Sequence, residues 1–364
     1  MRVALLGGGT AGHLFPSVAV AQTLTQDMGA QVLFIGAHGR LDGKILAEND
    51  LPYELIPARP FPYGLSVKTG FALWSLYLSR ALCVQILRRF GPDAVFGAGG
   101  YVSAAGVLAA AKLGVPSICH ASDAHPDRAN RLLARWATRM TTNYEVAAEG
   151  FPAQKTSVVG QPVRRQFIRT TRPEAREALG IAPDAFVLLV VGGSQGARRL
   201  NHATLEALTE LLADPRMHMI HSTGSLDYDD VVARAREAVG DEPRYRCVAF
   251  HEEPWLPLAA ADLVLSRGGA SSLAEIAVAG KPAIVVPYPH AAAHQTLNVR
   301  PLAEAGACIV VQDAELSGAA LLEHVRTLRQ NVSMLCGMSA AARQTSRPGA
   351  AGEIAGMLAE LAGR

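Results

Sequence analysis

The sequence predicts an α/β protein of two Rossmann-like domains, each a parallel sheet covered by helices, with the two sheets facing a cleft. Three observations carry this reading. Short apolar runs alternate with helix-length amphipathic segments along the chain. A strand, a glycine-rich turn and a helix open each half. The length of 364 residues exceeds one ordinary core and suits two of roughly 150 residues.

The first half opens with an apolar run at Val3–Leu6, the turn Gly7-Gly8-Gly9-Thr10-Ala11-Gly12 and a helical stretch from Pro16 to Thr25. Val32–Ile35, Ala94–Phe96 and Ser117–Cys119 follow as strands that end at glycine, proline or polar turns, with a helix at Arg128–Ala137. The second half repeats the plan. Val187–Val191 runs into Gly192-Gly193-Ser194-Gln195-Gly196 and a helix at Asn201–Ala213. Further strands fall at Met219–Ser222, Cys247–Phe250, Leu263–Leu265, Ala283–Val286 and Cys308–Val311, with a helix at Leu273–Ala279. The expected domains are 1–161 and 162–339, linked near Gly160-Gln161-Pro162, with a helical segment at about 340–364 able to pack back on the first domain. Ligand sites in such sheets lie beyond the carboxyl ends of the strands, and two such domains place the site in the cleft between them.

Composition narrows the function. Hydrophobic residues make up 49% and charged residues 18%, the balance of a globular chain. A formal net charge of +2 argues against a nucleic-acid partner, so any basic surface is local. The five cysteines (Cys83, Cys119, Cys247, Cys308, Cys336) show no metal or redox spacing and suit a reducing compartment. No leader is expected before the first strand, and the longest apolar stretch, Phe71 to Leu87, is broken by Arg80 and is short for a membrane span. A cytoplasmic protein is expected, with contact to a membrane surface open.

Gly7, Gly9 and Gly12 satisfy G-x-G-x-x-G between strand and helix, which brings backbone N–H groups to a phosphate-bearing ligand. A nicotinamide dinucleotide would want an acid at the end of the second strand. That strand ends Ile35-Gly36-Ala37-His38, and the first acid is Asp42, which weakens that reading; Arg40 keeps a phosphorylated dinucleotide open, and a packing turn is the other alternative. His13 follows the last glycine at a helix start. A neutral imidazole there can take a proton from an alcohol as a general base, or it can simply fill the turn.

The Gly192–Gly196 turn, with the Ser194 hydroxyl, can hold a diphosphate. In Ser266-Arg267-Gly268-Gly269-Ala270-Ser271-Ser272-Leu273-Ala274-Glu275, Glu275 either binds ribose hydroxyls or completes a capping box with Ser272. Arg267 either neutralises a leaving diphosphate or is a solvated surface arginine. His290 and the run His294 to Asn298 offer imidazoles and amides to a hydroxyl-rich ligand. Asp227-Tyr228-Asp229 matches a metal-holding D-x-D, but an acidic first helical turn is the simpler reading, and neither metal nor cofactor is expected. Phe71, Leu73, Trp74, Leu76, Tyr77 and Leu78, with Lys68, Arg80, Arg88 and Arg89 around them, suit either an anionic membrane surface or a core helix with a charged edge.

The motifs taken together resemble those of the MurG family of peptidoglycan N-acetylglucosaminyltransferases. The resemblance rests on Gly7 to Pro16, Gly99-Gly100-Tyr101-Val102-Ser103, Gly160-Gln161-Pro162-Val163-Arg164, Gly192 to Arg198, Arg267 to Glu275 and His294-Gln295, in order over nearly the whole chain. It implies a glycosyltransferase fold of the B type. It also implies inverting transfer of N-acetylglucosamine from UDP-N-acetylglucosamine to undecaprenyl-linked lipid I at the cytoplasmic face of the cell membrane. A UDP-sugar epimerase, another UDP-sugar transferase of the same fold and an inactive nucleotide-sugar-binding scaffold are the alternatives. The family pattern assigns donor contacts to Thr10, Ala11, Gly12, Arg164, Ser194, Ala270, Ser271, Ser272, Leu273, Ala274, Glu275 and Gln295, with His251 beside the uracil through its backbone. It matches the family's hydrophobic, basic patch to Phe71–Arg89. The chain departs from the family at His120-Ala121-Ser122-Asp123, where the family reads His-Glu-Gln-Asn. Ala121 supplies no carboxylate, and Asp123, His125 and Asp127 are the nearby groups able to compensate; Asp123 is counted among the substrate-binding residues.

Overall fold

The computed structural model describes residues 1–9, 11–38, 42–59, 67–126, 128–193, 196–289 and 294–363. Thr10, Arg40, Asp127, Ser194, Gln195 and His290 lie outside the described residues, as do the side chains of Ala11, Lys68 and Leu73. The chain divides into two compact units, 1–165 with 347–364, and 166–346.

Among the described residues, unit 1 holds seven parallel strands: β1 Arg2–Leu6, β2 Gln31–Ala37, β3 Tyr53–Ile56, β4 Ala94–Gly97, β5 Ser117–Ala121, β6 Arg139–Thr142 and β7 Thr156–Val158. Their order is β3-β2-β1-β4-β5-β6-β7. Central strands are buried on both faces, as parallel sheets require, so β1 and β4 read as unbroken apolar runs. β3, β6 and β7 were not legible as strands, because Tyr53-Glu54, Arg139 and Thr156-Ser157 dilute their apolar content toward the sheet edges. The helix Ala350–Leu361 returns to unit 1 and packs on the helix Ala11–Gln26, burying Ile354, Ala355 and Leu358. The Gly160-Gln161-Pro162 segment is itself packed into unit 1, where Gln161 is buried.

Unit 2 holds β8 Phe186–Val191, β9 Met217–Ser222, β10 Tyr245–Val248, β11 Leu263–Ser266, β12 Ala283–Val285 and β13 Cys308–Val310, in the order β10-β9-β8-β11-β12-β13, again parallel. β10 ends two residues before the expected Phe250, which is exposed in the following turn. In both units the strand order reverses beside the first strand, between β1 and β4 and between β8 and β11. That switch point is where such sheets open a crevice.

Candidate active site

The glycine motifs fall at these two switch points. In unit 1, the turn after β1 faces the Ala98-Gly99-Gly100 turn after β4. His13, in the first turn of the helix Ala11–Gln26, places Nδ1 3.0 Å from the carbonyl oxygen of Ala98. A carbonyl oxygen only accepts, so Nδ1 carries the proton and Nε2 keeps the lone pair. The ring lies on the Gly99-Gly100 backbone. A Cβ on Gly100 would stand 2.9 Å from His13 Cδ2, and the backbone there has φ +76°, so glycine is required twice over. The same constellation that fixes the tautomer also fixes the ring.

The first glycine turn is not an open phosphate cradle throughout. Asp42, buried at 2% exposure, accepts the Gly9 N–H at 3.0 Å and the Ala37 N–H at 2.9 Å. The residue that spoke against a dinucleotide thus serves as a built-in anion that pins the turn. Sequence reasoning missed this role, because it depends on Asp42 reaching back over thirty residues to the turn. Tyr101 also lies over Gly9, with its hydroxyl 1.9 Å from where a Cβ would be.

Beneath His13, the imidazole of His120 is fully buried, with Nε2 3.0 Å from Gln161 Oε1 and Nδ1 3.1 Å from Thr141 Oγ1. Burial pushes it down to about 4; the Gln161 hydrogen bond opposes this and the nearby His13 adds to it. Ala121 is fully buried in the unit 1 core, and the hydroxyl of Ser122 is buried with no hydrogen-bond partner among the described residues. Asp123 is half-buried; after burial, it is the next cause that raises the Tyr144 phenol. His125 accepts from Arg131 at 3.2 Å. Arg164 is buried with its guanidinium 3.9 Å from the Phe15 ring centroid, a cation–π contact inside unit 1.

In unit 2, the Gly192–Gly196 turn leads to the helix Arg198–Leu212, whose N-terminus no side chain caps. A Cβ on Gly196 would meet the Thr223 carbonyl oxygen at 2.1 Å, at a φ of +82°. A buried chain of hydrogen bonds supports that contact. Asn201 Nδ2 donates to Thr223 O and to Asp227 Oδ2, both at 3.1 Å, which turns Asn201 Oδ1 toward His221 Nε2–H at 3.0 Å. His221 Nδ1 then accepts from the Tyr245 hydroxyl at 2.8 Å. Burial pushes His221 down to about 3, which keeps the ring neutral. Asp227 starts the helix Tyr228–Val239 and is also held by Arg198, as an acidic first turn would be.

The turn after β11 corrects two expectations. The helix Ala270–Val278 has Gly269 as its N-cap and no side-chain cap, so Ser272 lies inside the first turn and forms no capping box with Glu275. Glu275 is half-buried one turn further on. The N-terminus of this helix, with Gly269 at the cap position, suits an anion, with Leu273 buried behind it and Ala274 half-buried. Arg267 is not a solvated surface arginine. Its side chain is 11% exposed, pairs with Asp313 at 2.5 Å and donates to Val286 O at 3.1 Å. Its charge is therefore already matched within unit 2.

Gln295, at the start of the helix His294–Glu304, accepts the Gly268 N–H at 3.0 Å and the Tyr288 N–H at 2.9 Å through Oε1. Among the described residues its amide nitrogen, a double donor, makes no hydrogen bond. Asn298 donates to Gly268 O at 3.2 Å, so one helix holds both polar groups of that glycine. His251 is mostly buried, its Nε2 has no hydrogen-bond partner among the described residues, and burial lowers it.

The helix Val67–Phe90 buries Val84, Ile86 and Leu87 in the unit 1 core and also exposes large apolar side chains. Ser75, Ser79 and Cys83 face inward, while Phe71 (67% exposed), Trp74 (61%), Tyr77 (61%) and Leu82 (38%) face outward. Trp74 and Tyr77 stack with centroids 5.8 Å apart. Arg88 and Arg89 extend the same outer face, with Arg89 paired to Glu54. Among the described residues, no helix is long and apolar enough to cross a membrane.

Both units are doubly wound with glycine turns at their switch points, and both match models of a glycosyltransferase family. Residues 3–142 match the family 28 N-terminal domain and residues 187–354 the family 28 C-terminal domain. A UDP-N-acetylglucosamine–N-acetylmuramyl-(pentapeptide) pyrophosphoryl-undecaprenol N-acetylglucosamine transferase from Desulforudis audaxviator is 38% identical, covering 100% of this chain and 99% of the relative. One from Syntrophotalea carbinolica is 39% identical over 97% of both. The crystal structure of Acinetobacter baumannii MurG aligns with a TM-score of 0.71 at 27% identity over 99% of both chains. The chain belongs to this MurG family of N-acetylglucosamine transferases. A UDP-GlcNAc 2-epimerase from Neisseria meningitidis, bound to UDP-GlcNAc, has the same fold at 15% identity and a TM-score of 0.71.

Proposed function

We propose that the chain transfers N-acetylglucosamine from UDP-N-acetylglucosamine to the muramyl hydroxyl of undecaprenyl-pyrophosphoryl-muramyl-pentapeptide, with inversion, at the cytoplasmic face of a bacterial membrane. The observation that carries this reading is the fixed tautomer of His13. Its Nε2 is an acceptor at the switch point of unit 1, where an alcohol must lose a proton if it is to attack an anomeric carbon. Unit 2 takes the donor. The uncapped helix starts at Arg198 and Ala270 meet the diphosphate, together with Ser194, and Glu275 accepts from the ribose hydroxyls. The amide of Gln295 donates to the sugar, and the backbone at His251 lies along the uracil. The family pattern adds Thr10, Ala11, Gly12 and Arg164 to the donor contacts. Arg267, paired with Asp313, positions the turn and does not act as a free counter-charge. Asp123 supplies a polar group on the acceptor side, where the family carboxylate is replaced by Ala121.

The outward aromatic face of Val67–Phe90, with its arginines, supports docking on an anionic membrane surface. The lipid acceptor would be met there.

The test is product analysis. UDP-N-acetylglucosamine is supplied with and without the undecaprenyl-linked acceptor. Transfer gives an acceptor heavier by one N-acetylhexosamine, plus UDP, and nothing without acceptor. Conversion of the donor to an epimer in the absence of acceptor would replace this reading with an epimerase. Binding of UDP-N-acetylglucosamine with no turnover on the acceptor would replace it with a scaffold.

A further inference from the structure

Unit 2 has a polar cavity at the opposite edge of its sheet from the glycine turns. It encloses about 840 Å³ at the amino-terminal ends of β8, β11 and β12, where Phe186, Asp262 and Pro282 begin or precede those strands. That size lies in the range of small-molecule sites. The active-site turns are a strand length away, on the order of 15 Å.

The charges around this cavity do not balance. Asp262 accepts from Arg172 at 2.6 Å, from Arg176 at 2.7 Å and from the Val187 N–H at 2.8 Å, so both of its oxygens are engaged. Lys281 is buried and donates to the carbonyl oxygens of Ala259 and Ala261. The Arg343 side chain lies against Gly280, and its guanidinium makes no hydrogen bond or ion pair among the described residues. Arg172, Arg176, Lys281 and Arg343 thus act on one another with Asp262 and Asp184 as their counter-charges, an excess of two positive charges. Arg329 at the rim is matched by Asp214 and does not change this excess. On the other side the lining is apolar, with Phe186, Leu335 and Val332, the last 68% exposed.

We propose that this cavity is a binding site for an organic phosphate, held by Arg343 and Arg172 through its phosphoryl oxygens and by the Phe186–Val332 wall through an apolar body. A phosphoryl dianion matches the excess charge, and its oxygens fit guanidinium forks better than a single carboxylate does. The ligand is a soluble phosphate ester or the headgroup of a phospholipid; both present the same chemistry. Anion binding favours the charged form of Lys281, which burial, opposed by Asp262 and reinforced by Arg172, Arg176 and Arg343, pushes down to about 8. Affinity therefore falls as the pH rises from 7.5 to 9.5.

Two probes test this on the full chain. Phenyl phosphate is titrated calorimetrically with UDP already saturating, so that the donor site does not contribute. Phosphatidic-acid vesicles are compared with phosphatidylcholine vesicles by sedimentation. Phenyl phosphate binding that weakens about tenfold in Arg343→Gln, partly restored in Arg343→Lys, supports a soluble ester. Binding of the vesicles alone, with the same dependence on Arg343, supports the headgroup. Absence of binding to either probe, or binding unchanged in Arg343→Gln while that variant keeps its melting temperature, overturns the proposal.

Discussion

Asp42 shows how much one buried carboxylate decides. It closes two backbone donors, at Gly9 and Ala37, that would otherwise be buried without partners. Each orphaned donor costs about 1–3 kcal/mol. Asp42→Ala should therefore lower the urea unfolding free energy of unit 1 by about 2 kcal/mol or more, and should raise the KM for both substrates as the Gly7–Gly12 turn loosens. Asp42→Glu, which keeps the acceptor, should recover most of both losses. An unchanged unfolding curve for Asp42→Ala would remove Asp42 from this role. The same logic applies to Gln295, whose Oε1 serves Gly268 and Tyr288. Gln295→Ala should weaken UDP-N-acetylglucosamine binding by about tenfold in a calorimetric titration, with UDP binding less affected. Equal losses for both ligands would assign Gln295 to the turn alone.

At the scale of elements, each switch point stands on a buried neutral histidine. His120 lies under the His13 turn and His221 under the Gly192–Gly196 turn. Burial holds the folded values near 4 and 3, below the ordinary 6.5. The folded state therefore refuses a proton that the unfolded chain accepts. The stability this represents is present above pH 6.5 and is lost as the pH falls from there toward 4. At pH 5.5 each histidine should account for about 1.4 kcal/mol of lost stability, visible as a lower urea midpoint than at pH 8. A midpoint that does not move between those pH values would contradict the assignment. These networks also mark the limit of what the sequence discloses. The strand–glycine–helix turns were legible because glycine spacing and apolar runs are local signals. Asn201, His221 and Tyr245 were not, because their pairing depends on one helix and two neighbouring strands meeting. The capping-box reading of Ser272 failed because the helix starts at Ala270, with Gly269 taking the cap position. Arg267 reads from the sequence as a counter-charge for a leaving diphosphate or as a surface arginine; its ion pair was not legible because Asp313 lies forty-six residues further along the chain.

At the scale of the molecule, the net charge of +2 hides a local polarity. The outer face of Val67–Phe90 gathers large apolar side chains beside Arg88 and Arg89. Replacing Trp74 and Tyr77 together by serine should weaken partition onto phosphatidylglycerol vesicles by about tenfold or more, while leaving hydrolysis-independent UDP binding intact. Unchanged partition would dissociate this helix from the membrane. The doubling of a parallel sheet was readable from the alternation of elements alone, and the family's motifs fell on both switch points. What the sequence left open was which of those residues are engaged within the fold and which keep a group for a substrate.

His13 is where that distinction matters most: Nδ1 is committed to Ala98, and Nε2 is the atom assigned to the acceptor proton. The direct measurement is turnover of UDP-N-acetylglucosamine on the undecaprenyl-linked acceptor by His13→Ala, with donor affinity measured alongside. Turnover about a hundredfold or more below that of the unsubstituted enzyme, with donor affinity unchanged, is the predicted result. Near-normal turnover would contradict the account.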